Sequence, residues 1–231
     1  MTLNEMICHR KSCRSYRNTP VDDGTVETIR AFRMKPLYPD IRVHWDIVTR
    51  DQVRCVFPCP WTTHQLIDFY SEEKEGNQEN AGFMLQQMDL YLQTLGLGAC
   101  WLGIGRMRSE AAAQVDGMKF VILLAFGYPK GDCLRQTAGE FKRKAMDEIT
   151  DAADPRLEPA RLAPSAVNGQ PWYFVHEGST LHVYCSRKGG NLDVGIALAH
   201  LYVANEDSFR FCKTDAAAER PGWNYVGSCE I

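Results

Sequence analysis

The apolar positions of the chain predict five helices. The clearest stripe repeats every three or four residues and ends before Gly96, which stands where a helix C-terminus commonly has glycine. A second stripe follows Asp22, a residue type that favours the helix N-cap. A third, near the C-terminus, is apolar on most sides, which predicts a buried helix. The predicted helices span residues 3–9, 21–32, 80–95, 155–162 and 192–205.

Between the helices, shorter stretches with alternating or continuous apolar residues predict strands. These strands span residues 43–49, 64–70, 120–126, 172–176, 180–186, 209–212 and 223–229. The order helix, strand, strand, helix, strand occurs twice along the chain, and tryptophan opens or nearly opens a strand at Trp45 and at Trp172. This order suggests a worn internal repeat, with a first half at residues 1–150 and a second at 151–231 that share one core.

Composition narrows the class of protein. The 231 residues are 45% hydrophobic and 24% charged, as in a soluble globular protein, and no apolar run approaches the length of a membrane span. The N-terminus lacks the layout of a signal peptide, and a net charge of −3 argues against nucleic acid as a partner. Nine cysteines without a Cys-x-x-Cys motif predict reduced thiols in a cytoplasmic protein.

Cys55, Cys59 and His64 could be metal ligands. A fourth ligand is missing and two prolines interrupt the segment, so the sequence predicts no metal site. A thiol-based redox or metal protein, using these cysteines or Cys8 and Cys13, is the alternative, and it would lack a cofactor with a visible spectrum.

The stretch from Ala163 to Trp172 is a polar loop that leads into a strand. Pro164 bars the helical conformation at Ala163, Gly169 permits a positive φ, and the following proline favours an extended Gln170. Side chains of the Ser165, Asn168 and Gln170 type, held on a rigid loop, suit the edge of a planar heterocycle. An ordinary turn between a helix and a strand explains the same composition.

A basic cluster lies near the N-terminus, and Ser12 stands between Arg10 and Arg14. Arginine forks and a hydroxyl donor suit a phosphate group, although five basic residues are more often a solvated face. A second basic run comprises residues 142–144, for which a surface loop is again the simple explanation.

Three motifs together resemble the nitroreductase family. The segment Pro164-Ser165-Ala166-x-Asn168-x-Gln170-Pro171-Trp172 is similar to the flavin-contacting loop of that family. Arg10-x-Ser12-x-Arg14 is similar to its phosphate motif, and Gly96-Leu97-Gly98-x-Cys100-Trp101-x-Gly103 to its glycine-rich segment. The glycines of the last segment follow a helix instead of opening one, which excludes a dinucleotide fingerprint.

The resemblance implies an α+β fold, a mostly antiparallel sheet wrapped by helices, and an FMN-dependent oxidoreductase. Hydride from NADH or NADPH would pass through the flavin to a nitro, quinone or similar small acceptor, with no catalytic side chain required. It assigns the ring to the backbone at Trp101, Leu102 and Gly103 and to Pro164, Ser165, Ala166, Asn168 and Gln170. It assigns the phosphate to Arg10, Ser12, Arg14, Lys142 and Arg143.

The order of the motifs resembles the tandem, pseudo-dimeric branch of the family, because the Pro-Ser loop lies in the last third of the chain. Ordinary members are homodimers with the flavin at the interface. Two fused halves would rebuild that interface within one chain, and residues 32–36 stand where the first half would carry its own Pro-Ser loop. We therefore expect one FMN per chain and a monomer that can bind it. A non-catalytic FMN sensor or store is the alternative, and relatives that dehalogenate or cleave flavin leave the acceptor open.

Overall fold

The computed structural model describes residues 1–59, 63–214, 217 and 219–231. The segment between Cys55 and His64, considered as a metal site, includes Pro60, and this proline lies outside the described residues. The helices in the described part are α1 (Leu3–Ile7), α2 (Asp23–Ala31), α3 (Asn77–Thr94), α4 (Glu158–Leu162) and α5 (Asn191–Ala204). The strands there are β1 (Val43–Thr49), β2 (Val53–Cys55), β3 (Gln65–Ser71), β4 (Gly98–Leu102), β5 (Gly105–Met107), β6 (Gln114–Val115), β7 (Met118–Gly127), β8 (Trp172–Glu177), β9 (Thr180–Ser186), β10 (Arg210–Cys212) and β11 (Trp223–Glu230).

The predicted helices form close to their expected positions. The Asp22 side chain accepts a hydrogen bond from the backbone N–H of Thr25, so it caps α2 as predicted. The methionine stripe of α3 is core, because Met84 and Met88 are buried. Gly96 adopts a φ of 78° after α3, which the absence of a Cβ allows. Residues 155–162 begin with one turn of 3-10 helix before α4.

The strands build two main sheets and a small one. The first sheet has the order β1-β3-β7-β4, with β6 also paired to β7, and the second has the order β8-β9-β11-β10. All the pairs between these strands are antiparallel, which confirms the α+β prediction. The strand β4 was not predicted: it occupies the glycine-rich segment, with Gly98 opposite Gly127. The short pair of β2 and β5 was also missed.

The two sheets follow the same connection order. In the first sheet, the hairpin of β1 and β3 leads into α3, β4 forms an edge, and β7 lies between β4 and β3. In the second sheet, the hairpin of β8 and β9 leads into α5, β10 forms an edge, and β11 lies between β10 and β9. All strands of the first sheet precede residue 150 and all strands of the second follow it. The boundary drawn from the sequence therefore falls between the sheets, and the duplication itself remains a prediction.

The helices α3 and α5 pack against each other through two glycines. A Cβ on Gly82 would lie 2.0 Å from the carbonyl oxygen of Leu192, and one on Gly195 would lie 2.0 Å from that of Glu79. The two contacts are reciprocal, because each glycine meets the residue three positions before the other. Positions of α3 and α5 that correspond in this way are 113 residues apart.

The core lies around these two helices. Residues 193–201 of α5 are buried on every side, as the apolar pattern predicted. One apolar cluster joins α5 to the second sheet, and another joins α3 to the first. In the described residues, no helix combines the length and the apolar character that crossing a membrane requires.

Candidate functional site

The loop that follows α4 has an unusual backbone. Ala163 is extended before Pro164, as predicted, with a φ of −59° and a ψ of 145°. Gly169 was expected to permit a positive φ, but its φ is −69°. The positive values occur instead at Val167 (46°), Asn168 (58°) and Gln170 (47°), so the expectation of an extended Gln170 was also wrong. For Val167, a β-branched residue, such a φ is a strained conformation, and strain of this kind is common at binding sites.

Side-chain hydrogen bonds hold the loop in this conformation. The hydroxyl of Ser165 accepts from the backbone N–H of Gln170 at 2.9 Å, and a carboxylate oxygen of Asp193 on α5 accepts from that of Ala166 at 3.0 Å. The Gln170 side chain turns inward, where its oxygen accepts from the backbone N–H of Lys144 at 2.8 Å. Gln170 is only 2% exposed, so it supports the loop from behind. These bonds explain why non-glycine residues take the left-handed positions.

One face of the loop borders an apolar cleft of about 380 Å³. The other walls are β4 with the turn after it, the residues of the N-terminal motif, and the first turns of α5. The lining residues include Ser12, Arg14, Cys100, Trp101, Leu102, Gly103, Ile104, Ile122, Pro164, Ser165, Ala166, Val167, Leu192, Asp193 and Ile196. The cleft therefore joins elements from both halves of the chain.

A basic cleft of about 470 Å³ continues from the apolar one. The two share Ser12, Arg14, Pro164, Ser165 and Val167, so they form one groove with an apolar and a basic part. The residues that line the basic part are Arg10, Lys11, Ser12, Arg14, Arg135, Glu140, Lys142, Arg143, Pro164, Ser165, Val167 and Asn168. All the predicted site residues except Gln170 thus line the groove.

Positive charge is in excess in the basic part. Arg143 is held by the carbonyl of Leu162 and by Asn168, whose side-chain oxygen accepts from Arg143 Nη1 at 2.7 Å. Burial, and then the neighbouring cations Arg10, Arg135 and Arg161, lower the pKa of Arg143 to about 10. A guanidinium loses protons more readily when like charges surround it, and an anion in the groove would relieve that repulsion. Asn168 therefore orients a cation at the basic end.

A model of the family described as "Putative TM nitroreductase" matches residues 2–205. The chain belongs to this family. No curated protein matches the sequence.

Solved structures agree with the family. A "putative nitroreductase" from Thermotoga maritima is 21% identical and superposes with a TM-score of 0.70, covering 100% of this chain and 94% of that one. A "nitroreductase family protein" from Clostridium difficile 630 is 15% identical, with a TM-score of 0.51 over 67% of this chain and 99% of that one. At these identities they establish the nitroreductase fold. A third, from Desulfovibrio desulfuricans and "in complex with fmn", is too distant to add to the fold, at 19% identity, a TM-score of 0.42 and coverage of 63% and 93%.

Behind the groove of this nitroreductase-family chain lies a buried polar network. Arg10 is 1% exposed, and its Nε lies 3.0 Å from a carboxylate oxygen of the fully buried Asp89. The Gln86 amide donates to Asp89 at 3.0 Å and to Nε2 of His200 at 3.0 Å, and it accepts from the indole N–H of Trp101 at 3.2 Å. The network links the basic end of the groove to the tryptophan that lines its apolar end.

His200 is neutral in this network. Its Nε2 accepts from Gln86, so its Nδ1 carries the proton and donates to the carbonyl of Pro159 at 2.9 Å. Complete burial, and then the charge of Arg10, lower the pKa of His200 to about 3. The imidazole is therefore a fixed hydrogen-bonding group near neutral pH.

Sequence reasoning missed several residues around the groove, and three of them show why. Asp193 was detectable as a lone carboxyl in the first turn of an otherwise apolar helix; burial raises its pKa. Arg135 lies in a loop without a motif, and Asp89 lies in the polar gaps of a helix stripe, so neither carries a local signal. At the other candidate site, Cys55 lies near Arg50, and no three His, Cys, Asp or Glu residues of the described chain are grouped to hold a metal ion.

Proposed function

We propose that this chain binds FMN in the two-part groove and acts as an oxidoreductase on a small nitro, quinone or similar acceptor, with NADH or NADPH as reductant. The observation that carries the proposal is that an apolar cleft joins a basic cleft in which positive charge is in excess. FMN is divided in the same way into an apolar and an anionic part. It has a planar ring system at one end and, at the other, a phosphate that is near-dianionic at neutral pH. The chemistry that FMN supplies when bound is two-electron transfer between a nicotinamide and an acceptor.

The basic part would hold the phosphate. Arg14 and Lys142 are exposed in this part of the groove, so their donors are available to phosphate oxygens. Most donors of Arg143 are occupied by the carbonyls of Leu162 and Lys142 and by Asn168, so its main contribution would be positive potential. Ser12 shares its hydroxyl with Arg10, whose Nη2 donates to it at 3.2 Å. Arg10 itself is already paired with Asp89, and we propose that it contributes positive potential and holds Ser12 in place.

The apolar part would hold the ring. Its walls are the backbone and side chains of residues 101–103 on one side and of residues 164–166 on the other. Leu192 and Ile196 of α5 also line this part, and their apolar side chains would help to keep water from a bound ring. Gln170, which supports the loop from behind, would act by fixing Ser165 and Ala166.

We also propose that a monomer of this chain holds one such site. The place in the first half that corresponds to the groove has different residues. Asn80 corresponds to Asp193 in the 113-residue correspondence, and its side chain accepts from the N–H groups of Leu37 and Tyr38 as Asp193 does from Ala166. These bonds support the proposal that residues 36–38 are the counterpart of the Pro-Ser loop, close to the segment suggested by the sequence. Where the groove has Ala166 and Ile196, this place has Tyr38 and Phe83.

Those aromatic residues pack with others from the second half. Tyr38 contacts Phe211 edge-on at 5.5 Å between ring centroids, and Phe83 lies 6.0 Å from Phe209 and 5.4 Å from Tyr202. Tyr202 corresponds to Asp89, so the counterpart also lacks the carboxylate that pairs with Arg10. A second flavin site is therefore not part of the proposal. A cytoplasmic location, proposed from cysteine usage, is in keeping with it.

The first experiment is a visible spectrum of the purified protein, followed by titration of the stripped protein with FMN and with riboflavin. Arg14→Ala should weaken FMN by roughly ten- to a hundredfold, which is the loss of about 1.5–3 kcal/mol expected for a charge-assisted hydrogen bond. Riboflavin has no phosphate, so its affinity should hardly change. The control is Arg187→Ala, an exposed arginine away from the groove. Equal effects on the two ligands would contradict the phosphate assignment.

Turnover is tested separately. Oxidation of NADH or NADPH in the presence of a quinone or a nitroaromatic compound should be continuous and should require FMN. A protein that binds FMN tightly but gives no steady-state oxidation with either nicotinamide would be a flavin sensor or store instead of a reductase.

A further inference from the structure

Two thiols meet beside the basic part of the groove. The sulfur of Cys133 lies 2.7 Å from the sulfur of Cys13, although the two residues are 120 positions apart in the chain. Cys13 belongs to the Arg10–Arg14 segment and is 1% exposed, whereas Cys133 is partly exposed in the loop at residues 131–140. A disulfide bond has a sulfur–sulfur distance of about 2.05 Å, so closing this gap needs a movement of less than about 1 Å.

The surrounding backbone holds the two residues in this arrangement. Cys13 donates its N–H to the carbonyl of Ala99 at 2.8 Å, and Gly98 leaves room for its side chain, since a Cβ there would lie 2.5 Å from the sulfur. On the other side, Arg135 donates its N–H to the carbonyl of His9 at 2.7 Å. Backbone hydrogen bonds therefore anchor both chain segments that carry the two thiols.

We propose that Cys13 and Cys133 form a reversible disulfide that fastens the 131–140 loop over the basic part of the groove. This loop contributes Arg135 and Glu140 to the lining. Once fastened, it cannot move away from residues 10–14, so a bound phosphate group would leave more slowly. The effect on release rests on the proposed FMN site, whereas the disulfide itself does not.

The oxidant is a low-molecular-weight disulfide. The thiolate of Cys133 attacks one sulfur of that molecule, a mixed disulfide forms, and one small thiolate leaves. Cys13, after losing its proton, attacks the Cys133 sulfur, which forms the internal disulfide and releases the second small thiolate. The two protein thiols lose two electrons and two protons, and the small disulfide is reduced to two thiols. An excess of small thiol reverses both steps.

The partly exposed position of Cys133 makes it the residue that reacts first. Burial, followed by the nearby Cys13 thiol, raises the pKa of Cys133 to about 12; Asp132 adds to the rise and Lys11 opposes it. The thiolate is therefore scarce at neutral pH, and below that pKa its amount grows about tenfold for each pH unit. Formation of the disulfide should accelerate accordingly between pH 7 and 9.

The test uses the full chain, with oxidised glutathione as the probe. After acid quenching, unfolding and alkylation, peptide mapping of the wild type should find Cys13 joined to Cys133, whatever mixed disulfides form at the exposed Cys8 and Cys212. Cys133→Ser should show no such bond, and the control Cys212→Ser, which removes an exposed thiol, should still form it. Mixed disulfides at Cys133 with Cys13 still open to alkylation would overturn the proposal.

Two further measurements test the fastening. The oxidised protein without FMN should melt several degrees higher than the reduced protein, because the bond restricts a long segment of the unfolded chain, and Cys133→Ser should show no difference. FMN should leave the oxidised protein at least several-fold more slowly. Unchanged release from a protein in which the bond has been mapped would overturn the fastening role. A failure to bind FMN at all would instead contradict the proposed function, while leaving the mapping result intact.

Discussion

At the scale of single residues, the basic motif divides into two kinds of arginine. Arg14 is exposed at the groove, whereas Arg10 is buried against Asp89. The sequence placed them in the same role because they share a motif, and it could not show that a carboxylate of a distant helix already neutralises one of them. A motif reports which residue types are present, and tertiary packing determines which of them remain available to a ligand.

Removing Arg10 should therefore reduce stability more than removing Arg14. Arg10→Ala leaves the carboxylate of Asp89 buried without its ion pair, and such a loss costs about 3–5 kcal/mol. Arg14→Ala removes an exposed side chain, which usually changes stability by less than about 0.5 kcal/mol. Urea unfolding of both variants without FMN measures the difference. Equal stabilities would mean that Asp89 finds other partners.

The buried His200 gives a prediction about pH. Its pKa is lowered to about 3 in the folded protein, whereas an ordinary imidazole titrates near 6.5. Between these values the unfolded chain binds a proton that the folded chain does not, so stability falls as the pH is lowered below 6.5, by about 1.4 kcal/mol per pH unit at most. His200→Gln removes this group, and glutamine is the residue at the corresponding position of α3, Gln87.

At pH 7 the His200→Gln variant should be somewhat less stable than the wild type. This difference in the free energy of unfolding should shrink as the pH is lowered to 5. Urea unfolding at pH 7, 6 and 5 compares the two proteins. The other histidines, including His176 with its raised pKa, are the same in both and cancel from the difference. Parallel pH dependences would show that His200 is not the buried neutral group described above.

At the scale of elements, the sequence predicted the long helices and strands and found the short α1, α4 and β10, but it missed other short strands. The helices α2, α3 and α5 and the strands of five or more residues in the two hairpins carry enough alternation or helical spacing to be recognised. The strands β2, β5 and β6 have two or three residues, too few for a pattern. The segment of β4 contains glycines, which are disfavoured in strands, and its pairing to β7 is a tertiary effect.

For the candidate site, too, local patterns were informative and tertiary contacts could not be predicted. Three local motifs predicted most of the groove, but the backbone of the Pro-Ser loop was predicted with its left-handed residue in the wrong place. Glycine was the obvious position for a positive φ. The hydrogen bonds that Ser165 and Asp193 accept, and the one that the Lys144 N–H donates, place that conformation at other residues. Lys144 and Asp193 are distant in sequence from the loop, so local rules could not supply their bonds.

The contact between α3 and α5 gives a prediction at this scale. Gly195→Ala would place a Cβ 2.0 Å from the backbone oxygen of Glu79, and backbone cannot turn aside as a side chain can. Overpacking of this kind typically costs about 1–3 kcal/mol, occasionally more. Gly24→Ala on the exposed α2 is the control, and there alanine should change stability by less than about 1 kcal/mol. Thermal melting of both variants compares them, and a Gly195 variant as stable as the control would contradict the close approach.

At the scale of the whole molecule, the groove takes its walls from both halves of one chain. Residues 10–14 and β4 come from the first half, and residues 164–168 and α5 from the second. We therefore expect one FMN per chain in a monomer. Light scattering combined with flavin quantitation measures both values. FMN bound by dimers and lost by monomers would mean that the site is shared between chains.

The reciprocal glycine contact also bears on how the groove is assembled. When two halves of a site belong to separate molecules, they meet at a rate that depends on concentration. Here α3 and α5 are tethered, so their docking is a first-order event. After transfer from denaturant, the recovery of FMN binding, with FMN in excess, should follow the same time course in dilute and in concentrated solutions of the protein.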